Sequence, residues 1–146
     1  MRFRPIYILR QVLNGAEILD WYRNQGVRNL RNPAEMHLNI MHCMDSVDWD
    51  AVGLCVEPMI LSEQGTRYPI RVKGTGSTGI GINSEPLITR WLECIRLGCT
   101  WRHSGYHPHV ATTHAHPGLA ENETKMYLGQ IILGPELRFD PNHSPV

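Results

Sequence analysis

Two histidines divide this chain of 146 residues into matching halves. Each follows a glycine placed to stop a helix. Gly26 precedes His37 and Gly98 precedes His109, both by 11 positions, and the two histidines lie 72 residues apart, about half the chain. Upstream of Gly26, Asn14-Gly-Ala-Glu17 sets a capping residue three positions before a glutamate, and Ile18, Leu19 and Tyr22 supply one apolar helix face. Upstream of Gly98, Ser84 caps a second helix with Pro86 in its first turn, and Leu87, Ile88, Trp91, Leu92 and Ile95 make its apolar stripe. The repetition predicts two strand–helix–strand units, each delivering one histidine near the start of the strand that follows its helix.

Strands are expected over Phe3–Val12, Met36–Met44, Leu54–Leu61, Tyr68–Lys73, Thr78–Asn83, 107–113 and Met126–Leu133. Strands and helices interleave without the regular rhythm of a parallel sheet. The expected fold class is therefore α+β, with two pseudo-symmetric lobes of mainly antiparallel sheet and outer helices around a central cleft. At this length the lobes make a single domain over residues 1–146, because two independent domains would each be too small.

Composition narrows the function classes. Fourteen basic residues balance fourteen acidic ones, which excludes a generally basic surface for a DNA duplex. No apolar run approaches the roughly 20 residues that span a bilayer, and the N-terminus lacks a signal peptide's apolar core, so a cytoplasmic protein without membrane partners is expected. Cys43, Cys55, Cys94 and Cys99 contain no Cys-x-x-Cys and are expected to be reduced thiols.

Two histidines facing each other across a cleft form an acid–base pair: one neutral imidazole takes a proton while the other, protonated, gives one to a leaving group. On a strand the residue two positions on shares the histidine's face, which gives Asn39 to His37, and Ala111 then Thr113 to His109.

With His37-Leu-Asn39 and His109-Val-Ala111, the chain resembles the two-histidine (2H) phosphoesterase superfamily, marked by a repeated His-x-Thr/Ser on facing strands. The segments Ile6-Tyr7, 12–18, His37 through Trp49, Tyr106 to Val110 and Leu133 to Glu136 are similar to its phage-borne branch, which includes anti-CBASS phosphodiesterases. The resemblance implies a metal-independent hydrolase, with no cofactor, that destroys cyclic di- or trinucleotide messengers of a bacterial antiphage system within the host cytoplasm. His37 and His109 would be catalytic. Neither is followed by the family's Thr/Ser. Asn39 can still donate to phosphate and Ala111 cannot, so Thr112, brought round by a bulge after His109, or Thr113 would have to supply the second donor.

Tyr7, Trp101 and Tyr106 are candidates for stacking on bases. Glu136 looks like the family's late acidic residue at the mouth of the cleft. Arg10 and Arg102 are candidates to pair with phosphates, with exposed surface arginines the favoured reading. Gly74-Thr-Gly-Ser-Thr-Gly79 matches a dinucleotide-binding pattern, but the residues after it read as a strand, whereas that site needs a helix there. His114-Ala-His116 lacks the further ligands of a metal site, and no metal is expected. Three classes remain: a phosphodiesterase acting on cyclic nucleotides or on RNA ends, a protein that sequesters such nucleotides uncut, and a histidine-metal hydrolase.

Overall fold

A computed structural model describes residues 2–62, 66–71, 76–114 and 126–142. In chain order the elements are β1 (Phe3–Val12), α1 (Gly15–Asn24), a 3-10 turn (Pro33–Glu35), β2 (His37–Asp48), β3 (Met59–Leu61), β4 (Thr66–Arg71), β5 (Thr78–Asn83), α2 (Glu85–Arg96), β6 (His109–Ala111) and β7 (Ile131–Phe139). The strands form one seven-stranded sheet in the order β3-β7-β1-β2-β6-β5-β4, antiparallel at every pairing. Within it, β1-α1-β2 and β5-α2-β6 have the same order and the same antiparallel pairing. They meet where β2 touches β6 at the single register pair Leu38↔Val110.

Side-chain alternation sorts the sheet into two faces. Ile6, Ile8, Leu38, Ile40, Ile80 and Val110 are fully buried and share one core with Ile18, Leu19 and Tyr22 of α1 and Leu87 and Cys94 of α2. Both helices therefore cover this rear face, and Tyr7, His37, Asn39 and His109 project from the front.

Both helices stop as their glycines predict, with Gly26 and Gly98 in the left-handed region at φ 85° and 108°. Ser84 caps α2 by accepting from Leu87 N. Asn14 departs from the expected capping box: its side chain bonds Glu17 and the backbone of Gln130 and Ile132, tying the start of α1 to β7. The α2 stripe is rotated from the expected one. Leu87, Arg90 and Cys94 are buried, while Ile88 and Leu92 are exposed, because a buried carboxylate on β7 draws Arg90 inward.

The segment expected as a strand from Leu54 forms one only at Met59–Leu61. β7 instead continues past the expected stop at Leu133. The ladder with β1 slips at Gly134-Pro135, between Val12↔Leu133 and Arg10↔Glu136, so the bulge absorbs a proline that has no N–H to give. Gly79, the last glycine of the dinucleotide-like pattern, lies inside β5, followed by more strand. A Cβ on it would sit 2.3 Å from Val110 O, so the glycine permits the close approach of β6. His116, like residues 72–75, lies outside the described residues. The four cysteines are free thiols, and no helix among the described residues is long and apolar enough to cross a membrane.

Candidate active site

His37 and His109 open β2 and β6, the two strands that meet at the centre of the sheet. Each ring is anchored in the same way. His37 Nδ1 lies 2.9 Å from the carbonyl of Glu35, and His109 Nδ1 lies 2.9 Å from the carbonyl of His107, in each case two residues upstream. A carbonyl only accepts, so Nδ1 carries the hydrogen in both rings and Nε2 is the nitrogen left for chemistry. The two imidazoles line one cavity of about 150 Å³ with Asn39, Arg31, Glu35, Met36 and Ala111.

Asn39 reaches this cavity in a defined orientation. The Tyr7 hydroxyl donates to Asn39 Oδ1 at 2.5 Å, leaving Nδ2 as the free donor. Burial raises the Tyr7 pKa against the opposing effect of that bond, so the phenol keeps its proton at neutral pH. The Tyr7 oxygen also lies 3.4 Å from His37 Nε2. Tyr7 thus orients Asn39 through its hydroxyl, while its half-buried ring stays on the front face. Its ring meets His42 edge to face at 5.1 Å. His42 reaches this front face because a bulge opposes Ile8↔Met41 and Leu9↔Asn39, which switches the side-chain alternation at Ile40.

Larger cavities flank the central one. On one side about 630 Å³ is bounded by Tyr7, Leu9, Gln11, Met36, Leu137 and Phe139, with His37 and Asn39 on the shared wall. On the other about 380 Å³ is bounded by Trp101, His103, Tyr106, His107 and His42, with Asn39 and His109 shared. Trp101 Nε1 donates to Gly105 O, and its ring packs edge-on against Trp91, His103 and Tyr106. Tyr106 has one face stacked on Trp91, with ring planes 3° apart, and its hydroxyl donates to Asn39 O at 2.7 Å. That bond clamps the loop before β6 to β2.

Three expected site residues lie elsewhere. Glu136 is not at the cleft mouth. Arg10↔Glu136 pairing puts it on the rear face, where its fully buried carboxylate accepts from Arg90 Nε and Nη2, each at 3.0 Å, and from Cys55 N. Thr112 and Thr113 do not replace the missing donor. A bulge does follow His109, but its two N–H groups both go to Thr78 O, and both hydroxyls are buried on Thr78. Arg10 is buried, not exposed, and donates to the carbonyls of Glu57 and Gly134. Arg102 is exposed and pairs with Asp45.

Arg31 carries no sequence signal, since it lies in an irregular Asn/Arg/Pro segment with no motif. No group of three His, Cys, Asp or Glu residues among the described residues could hold a metal.

Solved phosphoesterases share this architecture. One crystal structure of a phosphoesterase superposes with a TM-score of 0.61 at 11% identity, covering 94% of this chain and 87% of that one. E. coli LigT superposes with TM-scores of 0.57 in its apo form and 0.53 in its complex with 3′-AMP, at 12% and 13% identity and the same coverage. The fold is that of the two-histidine phosphoesterases.

Within that class, the family model described as Anti-CBASS protein Acb1 matches residues 4–143, and the chain belongs to the Acb1 family. Its relatives include the anti-CBASS protein Acb1 of Caulobacter sp. (strain RHG1), 28% identical over 138 residues, and that of Sphingomonas paeninsulae, 24% identical over 140 residues. Each match covers 92% of this chain, which spans 22% of the length of those relatives.

Proposed function

We propose that this chain is a phosphodiesterase that opens the 3′–5′ linkage of cyclic di- or trinucleotide signals of a bacterial antiphage (CBASS) system. His37 and His109 serve as its acid–base pair, with no metal in the chemical step, and it acts in the cytoplasm of the host. We read it as one domain, 1–146, of two matched halves. The observation that carries the reading is the pair of Nδ1-anchored imidazoles on one small cavity between two larger ones. A phosphate suits the central volume, and a nucleoside suits each flank. A 2′,3′-cyclic phosphate at an RNA end offers a nucleoside on one side of its phosphorus only, so the two flanks favour an internal linkage. The anti-CBASS relatives and the 3′-AMP held by LigT support a nucleotide ligand.

The chemistry follows from the two Nε2 atoms, that of His37 lying 3.4 Å from the Tyr7 hydroxyl. One, neutral, takes the proton of the ribose 2′-hydroxyl as O2′ bonds to phosphorus and the P–O5′ bond breaks. The other, protonated, gives its proton to the departing O5′. The first product is a linear nucleotide ending in a 2′,3′-cyclic phosphate. Because the nucleophile belongs to the substrate, proximity contributes an effective molarity on the order of 10⁵ M or more. Asn39 Nδ2 donates to the phosphate oxygens as their charge grows.

A second reading, capture without cleavage, is favoured by Ala111 and by the buried hydroxyls of Thr112 and Thr113. Incubation with EDTA and a panel of 3′–5′ cyclic di- and trinucleotides, read by mass, separates the two. Linear products that vanish in the His37→Ala/His109→Ala double variant support the hydrolase. Intact ligand co-purifying with the protein supports capture, and no interaction contradicts both.

A further inference from the structure

We propose that Arg31 is the cation that grips the reacting phosphate; this rests on the phosphodiesterase reading above. Arg31 is the one lysine or arginine among the described residues on the 150 Å³ cavity that holds both imidazoles. Its guanidinium is held but not neutralised. Nε donates to Thr113 O at 3.0 Å and Nη2 to Ser77 Oγ at 3.3 Å, while Nη1 has no hydrogen-bond partner and no carboxylate lies within ion-pair distance among the described residues. Glu35, the one carboxylate on the cavity among the described residues, is exposed and forms no pair with it.

The backbone fixes this side chain relative to His109. Arg31 N donates to Thr112 O at 2.9 Å, His114 N donates to Asn29 O at 2.8 Å, and Leu30 bridges Thr113. Residues 29–31 therefore lie as a short strand along the continuation of β6. Asn29 enters it at φ 60°, a left-handed conformation that asparagine tolerates better than most side chains. The two guanidinium bonds hold the side chain on the cavity, so less of its freedom is lost when a ligand binds.

The chemistry needs such a group. A phosphodiester carries one negative charge, and attack by O2′ brings a second onto the same oxygens at the transition state. A fixed charge beside them therefore stabilises the transition state more than the ground state. Asn39 offers a single neutral donor, and Ala111, where the second histidine's strand would present another, offers none. A guanidinium gives both charge and a planar pair of donors matched to phosphate oxygens.

The test compares wild type with Arg31→Gln, Arg31→Lys and Arg31→Gln/Ala111→Thr, by cleavage of a 3′–5′ cyclic dinucleotide and by calorimetric binding of adenosine 3′-monophosphate. Arg31→Gln is expected to lower kcat/KM by about 10²–10³, the usual loss for one such donor, and to weaken nucleotide binding by about tenfold. Arg31→Lys should fall between, and Ala111→Thr should restore about tenfold of the lost activity by adding a hydroxyl on the same face.

Arg31→Gln within about threefold of wild type on both readouts, with wild type cleaving, overturns the proposal and leaves the phosphodiesterase reading standing. Wild type that neither cleaves nor binds overturns both. Should the Gln variant not fold, side-chain nitrogen NMR of wild type decides: the Arg31 signals move on adding the nucleotide if it grips the phosphate, and unmoved signals refute it.

Discussion

Glu136→Ala separates a structural carboxylate from a ligand-binding one, and the structure fixes the expected size of its effect. The Glu136 side chain is fully buried and accepts three hydrogen bonds, two from Arg90 and one from Cys55 N. Burial works to discharge Arg90, but hydrogen bonding and attraction from Glu136 override it and push the guanidinium pKa up.

Removing one partner of such a pair costs about 3–5 kcal/mol, because the other charge stays buried. Arg90 keeps Glu93 at 2.8 Å and the Gly53 carbonyl at 2.5 Å, and Glu93 is half-exposed, so the lower end applies, about 3 kcal/mol. For a chain of this length each kcal/mol moves Tm by about 2–4 °C, which predicts a fall of roughly 6–12 °C by differential scanning calorimetry. With the carboxylate on the rear face, KM and kcat per folded molecule should match wild type well below Tm. An unchanged Tm with a KM raised about tenfold would refute the buried-pair account and return Glu136 to the ligand.

Tyr7→Phe removes the bond that orients Asn39, worth about 0.5–1.5 kcal/mol, so kcat should drop up to about tenfold and Tm by about 1–6 °C; a kcat equal to wild type would mean Asn39 holds its orientation unaided. Gly79→Ala puts a Cβ 2.3 Å from Val110 O, and moving β6 to relieve it should cost about 1–3 kcal/mol in a urea melt and reduce activity by misplacing His109. His42 has its pKa lowered by burial and by neighbouring His103, so the unfolded chain binds its proton more readily than the folded one. Its contribution to stability is full above about pH 6.5 and is lost as pH falls towards the depressed folded value. His42→Gln should therefore narrow the gap between Tm at about pH 8 and at about pH 5, and an unchanged gap would count against it.

What the sequence revealed and what it hid follow from the same physics. Gly26 and Gly98 announce the helix stops because left-handed backbone leaves few alternatives to glycine. His37, Asn39 and His109 were legible because each lies in a regular stretch of strand where alternation holds. Alternation fails at bulges. The slip at Gly134-Pro135 made β7 look finished and hid the parity that puts Leu137 and Phe139 in front and Glu136 behind. The slip at Ile40 brought His42 forward, and the one at Thr112 and Thr113 buried both hydroxyls against Thr78. Arg90 broke the α2 stripe because its partner is a carboxylate 46 residues away, beyond any local pattern. Arg31 had no signal at all, since its position depends on pairing with residues 112–114.

The central claim is that two imidazoles drive attack by the substrate's own 2′-hydroxyl. It is tested most directly by single-turnover cleavage of a 3′–5′ cyclic dinucleotide beside its 2′-O-methyl counterpart, in ¹⁸O-labelled water with EDTA, with products read by mass. The account predicts an unlabelled 2′,3′-cyclic phosphate as the first linear product, an inert methylated ligand, and loss of cleavage in both His37→Ala and His109→Ala. Methylated ligand cut as fast as the parent, with ¹⁸O in the first product, would show that water attacks the phosphorus and would contradict it.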